Sequence, residues 1–243
     1  MIVFTAMGDS ITSGVGATCP AKAYPQRIAG MLHSQHKNAF LQVEAYPGWT
    51  SLDLLHALRN LDPIQLRHST VTSIWVGGDD LVLAGVSMLK GADKRMIADI
   101  LSRYKRDLLL MIKTIRSVSR TSIVLCTQYN PFPKSSIATE AIAALNGVTA
   151  QAAKQCHVSL APTHRWIDGR QPELIDGYRT GRIEDALGGT FPVHPNNLGH
   201  KVLAHGLLPY INEHSTVTIN HRLRRSSPTP GSRRSPKGGR PDP

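Results

Sequence analysis

Residues Ile2 to Met7 form an apolar run at the extreme N-terminus, rich in β-formers and without the polar alternation of a half-exposed strand. A strand of this kind is buried on both faces, so it needs a parallel sheet with helices on both sides. The rest of the chain supplies the other segments of such a fold. A helix is predicted over 24–35, with Ile28, Met31 and Leu32 at helical spacing and Pro25 in its first turn. A strand follows over 40–46, then a helix over 51–61 with Leu54, Leu55 and Leu58 on one face, and a strand over 71–76. The clearest helix spans 92–118, with Ile97, Ile100, Leu101, Tyr104, Leu108, Met111, Ile112 and Ile115 in one stripe. Next come a strand over 122–126, an alanine-rich helix over 137–155, a short strand over 157–161 and a closing helix over 198–212. Repeated strand–helix units of this kind predict an α/β protein with a parallel sheet between two helical layers.

The chain has 243 residues, long enough to bury one full core, and the apolar patterning ends near residue 213. Residues 1–213 are read as one domain and 214–243 as a basic, disordered tail. Much of the net charge of +11 sits there: His221 to Pro243 carries seven Lys or Arg against one acid, Asp242, among Pro, Gly and Ser. Such a tail could bind weakly to an acidic surface, or simply be a solvated extension. No apolar run is long enough for a membrane span, so no transmembrane segment is expected. The N-terminus lacks a signal-peptide pattern, so the expected location is cytoplasmic, or extracellular for a form already trimmed. Cys19, Cys126 and Cys156 form neither a metal-like cluster nor a disulfide framework.

Directly behind the first strand comes Met7-Gly8-Asp9-Ser10-Ile11-Thr12. Open α/β sheets place their ligands and chemistry at the carboxyl ends of strands. A serine there stands at the lip of the sheet, where backbone N–H groups can face a developing negative charge. The plainer reading is a strand-ending turn that caps a helix, with Asp9 bracing it by accepting backbone N–H bonds. Three further blocks follow in order: Pro47-Gly48-Trp49-Thr50-Ser51, Gly77-Gly78-Asp79-Asp80-Leu81 and His194-Pro195-Asn196-Asn197-Leu198-Gly199-His200. As an ordered set, these blocks resemble the SGNH, or GDSL-type, hydrolase family of esterases and lipases over roughly residues 1 to 213.

The resemblance implies a three-layer α/β/α sandwich with a flavodoxin-like parallel sheet. It implies Ser10 as nucleophile and His194 as general base, with an oxyanion hole built from the Ser10 and Gly48 backbone N–H groups and residue 79. The implied activity is that of a serine esterase on a small-molecule ester, acetyl or lipid-like, acting through an acyl-serine with no metal or organic cofactor.

Two positions depart from the family pattern. Asp79 stands where the family has an asparagine whose amide is the third oxyanion donor. An ionised carboxylate only accepts, and would repel an oxyanion. A neutral Asp79 could donate, but needs burial or a like-charged neighbour such as Asp80 to stay protonated. Phe191 stands where the family has an aspartate three residues before the histidine. A backbone carbonyl can accept the same imidazole N–H bond, or one of Asp185, Glu184, Asp176 and Asp168 could orient the ring, the first two being nearest along the chain. These departures leave a second reading, a weakened or inactive SGNH scaffold that binds an ester or carbohydrate ligand. A third class is an interaction protein acting through the tail. His194, His200 and His205 lack the Cys or carboxylate spacing of a zinc site, and His200 is expected to pack or cap at the final helix. Trp49, Phe132 and the segment 84–89 are candidates for the substrate pocket, for core packing or for simple surface exposure.

Overall fold

The structure is a computed structural model that describes residues 1–36, 38–82, 95–187 and 191–226. Its centre is a five-stranded, all-parallel sheet in the order β2-β1-β3-β4-β5, formed by β1 (Ile2–Gly8), β2 (Ala39–Ala45), β3 (Val71–Trp75), β4 (Ser122–Cys126) and β5 (Ser159–Ala161). Chain direction across the sheet reverses between β1 and β3, the switch point at which such folds open a crevice. The register also matters here, because Gly8 lies opposite both Ala45 of β2 and Trp75 of β3. Three strands therefore end level with one another, and the segments carrying Ser10, Gly48 and Asp79 leave the sheet side by side.

Two-residue periodicity divides the apolar side chains between two cores. On one face Ile2, Phe4, Ala6, Val71, Trp75, Val124 and Cys126 meet Tyr24, Ile28 and Leu32 of α2 (Tyr24–His36). Leu203, Ala204, Leu207 and Ile211 of the last helix complete that layer. On the other face Met7, Ile74, Val76, Ile123 and Leu125 meet α3 (Ser51–Asn60), the long helix Arg95–Val118 and the helix Ser136–Cys156. Leucines buried this deeply typically cost about 2–5 kcal/mol when cut to alanine, so both layers hold the sheet firmly.

Of the predicted stripe on the long helix, Tyr104, Leu108, Met111, Ile112 and Ile115 are buried in this core, and Ile100 is buried as well. Leu101 is only partly buried, and Ile97 faces the cavity described below. The predicted start of that helix, 92–94, lies outside the described residues.

Three sequence expectations change. His157 does not open β5; it adopts a left-handed φ of 50° and ends the preceding helix, its N–H returning to the Ala153 and Lys154 carbonyls. The short helix α4 (Pro63–His68), capped by the Asp62 side chain, was not expected. The last helix runs from Asn197 to Ser226, past the 198–212 expected for it. Residues 211–226 contain neither Gly nor Pro, so no such residue interrupts backbone hydrogen bonding there. Residues 227–243, the rest of the expected tail, lie outside the described residues.

Candidate active site

Asp9 is fully buried and caps α1 (Ser10–Ser13), its Oδ1 accepting the Ile11 N–H at 3.1 Å. This is the brace expected from the sequence. The turn closes as Gly14 and Val15 donate to the Ser10 carbonyl at 3.2 and 3.0 Å. Ser10 therefore occupies the first position of a one-turn helix at the end of β1, held by its backbone and with its hydroxyl free to face the cleft.

His194 reaches that hydroxyl from the far end of the chain, with Nε2 3.0 Å from Ser10 Oγ. Several contacts hold its segment in place. The Tyr129 hydroxyl donates to the Val193 carbonyl, and the Asp176 N–H donates to the His194 carbonyl at 2.8 Å. Gly16, at φ +89°, leaves room for the approach, since a Cβ there would lie 2.2 Å from the Pro195 carbonyl oxygen. The remainder of the block is scaffolding. Asn196 caps the last helix, its Oδ1 accepting from Leu198 and Gly199 at 2.9 and 3.0 Å. His200 is fully buried, as its expected packing role requires: its Nδ1 accepts from Tyr24 N–H at 3.3 Å and its Nε2 lies 3.0 Å from the Val15 carbonyl. Burial, chiefly, lowers His200 to about 4.

Burial also lowers His194 below the ordinary imidazole value, with the Asp176 charge acting in the opposite direction. A neutral imidazole at ordinary pH is the form that can accept the serine proton.

Gly48 sits at φ +86° in the turn between β2 and α3 and lines the same cavity as Ser10. Thr50 and Asp53 form a capping box at the start of α3. The turn is further tied to the β3 end by Asp80, whose carboxylate accepts from Ser51 N–H at 2.8 Å and from Ser51 Oγ at 2.6 Å. This clamp was not anticipated from the sequence, although an acid beside Asp79 and a serine at a helix start were its available signals.

Asp79 lines the cavity with Ser10 and Gly48. Burial, then the charges of Asp80 and Asp53, push its carboxyl up to about 6. Burial, then Asp79, push Asp9 up to about 8. The site thus holds several carboxyls that cannot all ionise cheaply.

The cavity is about 500 Å³ and extends from Ser10 and His194 between α1 and the helix Ser136–Cys156. Its walls are mainly apolar: Leu81, Val82, Ile97, Phe132, Ala138, Ala141, Ile142, Phe191 and Val193. Phe132 thus lines it as one of the expected alternatives, its ring edge-to-face with Phe191 at 6.2 Å. Trp49 instead packs against the α3 side of the core and against Tyr46, away from the cavity. The segment 84–89 lies outside the described residues. His205 borders a separate surface groove near Arg27, and no group of His, Cys, Asp or Glu among the described residues is placed to hold a metal ion. No helix among the described residues is long and apolar enough to cross a membrane.

The carboxylates named as orienters divide clearly. Asp185 accepts from Thr180 N–H, Thr180 Oγ1 and Gly181 N–H, each at 2.8 Å. Asp168 accepts from Asn130 N–H at 3.1 Å, and Glu184 is exposed. The nearness of Asp185 and Glu184 in sequence does not bring either to His194.

The model of the GDSL-like Lipase/Acylhydrolase family matches residues 6–202. Spore germination lipase LipC of Bacillus licheniformis is 24% identical over 213 residues, 84% of this chain and 93% of that protein. Among solved structures, the lipase Lip_vut3 from a goat rumen metagenome is 24% identical at a TM-score of 0.73, over 85% of this chain and 96% of the other. A catalytic mutant of Axe2, an acetylxylan esterase from Geobacillus stearothermophilus, is 18% identical at a TM-score of 0.63, over 86% and 94%. At these identities the two solved structures support the three-layer fold.

Proposed function

The chain belongs to the GDSL-like lipase/acylhydrolase family and is a carboxylic-ester hydrolase, and from that premise we propose that it cleaves esters of an extended apolar acid through an acyl-serine. The observation that carries this reading is the 3.0 Å Ser10–His194 contact at the mouth of an apolar cavity. Ser10 Oγ attacks the ester carbonyl carbon as His194 Nε2 takes its proton. The carbonyl oxygen becomes an oxyanion, facing the Ser10 and Gly48 N–H groups and, in its neutral form, the Asp79 carboxyl. Collapse breaks the bond to the alcohol, which leaves with the proton from His194. Water then gives a proton to His194 and attacks the acyl-serine, releasing the acid and restoring Ser10.

Lipase and acetyl-esterase relatives leave the acyl length open, and the walls of the cavity favour the longer choice. A site made for acetyl needs little beyond the reaction centre, whereas Phe132, Ile142 and Phe191 lie where a chain of several carbons would run. Each buried methylene is worth about 0.8 kcal/mol, or roughly fourfold in kcat/KM. Across 4-nitrophenyl esters from acetate to octanoate, kcat/KM is expected to rise by at least tenfold. A steady preference for acetate would overturn the acyl-length assignment while leaving the acyl-serine mechanism intact.

A further inference from the structure

The family aspartate is absent at Phe191, and the backbone indicates what stands in its place. Residues 174–176 and 194–196 form a short antiparallel pair centred on Ile175 and Pro195. It is closed by Asp176 N–H to the His194 carbonyl and Asn196 N–H to the Leu174 carbonyl, both 2.8 Å. In such a pair Asp176 lies directly opposite His194, and opposed side chains project from the same face with their Cβ atoms about 5 Å apart. The carboxylate accepts no hydrogen bond from the described residues, unlike those of Asp185 and Asp168, which are engaged elsewhere.

We propose that Asp176 is the positioning residue for His194, replacing the missing family aspartate from a different segment of the chain. The assignment rests on the Ser10–His194 reading of the site. As the ring takes the Ser10 proton from one side, the imidazolium charge grows near the Asp176 carboxylate, which favours the Nδ1–H tautomer and the charged ring. Asp176 acts through His194 and touches no reacting atom. Its exposed position limits the effect, because water and salt screen a surface pair.

The first test is to follow the His194 ring by NMR through a pH titration of Asp176→Asn, a readout that needs no turnover. Its midpoint is expected to fall, since the carboxylate favours the charged ring, by the fraction of a unit that an exposed, screened pair supports. The acid limb of kcat/KM should move to lower pH by the same amount. Near neutral pH kcat should drop a few-fold with KM unchanged. Asp176→Glu should recover part of both, Glu184→Gln should move neither, and 0.5 M salt should shrink the difference between wild type and Asp176→Asn. An unmoved His194 titration would overturn the proposal, and so would a drop in kcat without a shift of the acid limb. A wild type that fails to hydrolyse esters would instead sink the catalytic reading, leaving the His194 titration to decide this one.

Discussion

Changing Ser10 to alanine is expected to lower kcat for ester hydrolysis by about 10⁶-fold while leaving KM within a few-fold of its original value. The asymmetry follows from where the serine sits. Substrate affinity comes mainly from the cavity walls, from Leu81 to Val193, which the substitution does not touch. On the proposed mechanism the hydroxyl instead forms the bond that makes hydrolysis a two-step reaction. The turn should survive, because it is built from the Ser10 carbonyl, Asp9 and Gly14, all still present. One hydrogen bond to His194 is lost, so a stability change of about 1 kcal/mol is expected. Steady-state kinetics beside thermal unfolding would check both halves. A variant that keeps its Tm and more than one per cent of its activity would contradict the assignment.

Asp79→Asn is expected to raise kcat/KM about 10²-fold at pH 8, an unusual direction for a change inside an active site. The sign follows from titration. With its carboxyl raised to about 6, Asp79 is neutral below that pH and charged above it. In the neutral form it can donate to the oxyanion as the family asparagine would, and a neutral acid as oxyanion donor is established chemistry in an apolar site. In the charged form it removes one donor, worth about 10²–10³ in rate, and adds repulsion. The variant-to-wild-type ratio should therefore be large at pH 8 and approach unity near pH 5. Taking the ratio cancels the His194 titration common to both proteins. A ratio that is flat from pH 5 to pH 8 would show that Asp79 does not titrate in the rate-determining step.

Legibility in the sequence followed periodicity closely. Strand Ser122–Cys126 and the helix ending at Val118 matched their patterns because burial on a fixed face dictates the residue types. Short helices such as Pro63–His68 and the left-handed His157 were missed, since local capping and turn geometry govern them more than any apolar period. Within the site, Ser10, Gly48 and Asp79 could be named from short motifs at strand ends and His194 from the block before the last helix, and strand register then placed the three strand ends level. The Asp80–Ser51 clamp and the backbone pairing that sets Asp176 opposite His194 could not be singled out. Both join segments far apart in sequence through polar contacts that leave no periodic trace. The position of Phe191 reads as a loss in the sequence, yet in the structure it is a wall of the cavity set against Phe132.

The most direct test of the account is covalent trapping of the nucleophile with diethyl 4-nitrophenyl phosphate, read by intact mass and peptide mapping. Ser10 attack on phosphorus expels 4-nitrophenolate and leaves a stable diethylphosphoryl group. The account predicts one group per chain, located on Ser10, absent from Ser10→Ala and formed much more slowly in His194→Ala. Ester turnover by a protein that stays unlabelled, or a label on another residue with Ser10 intact, would contradict it.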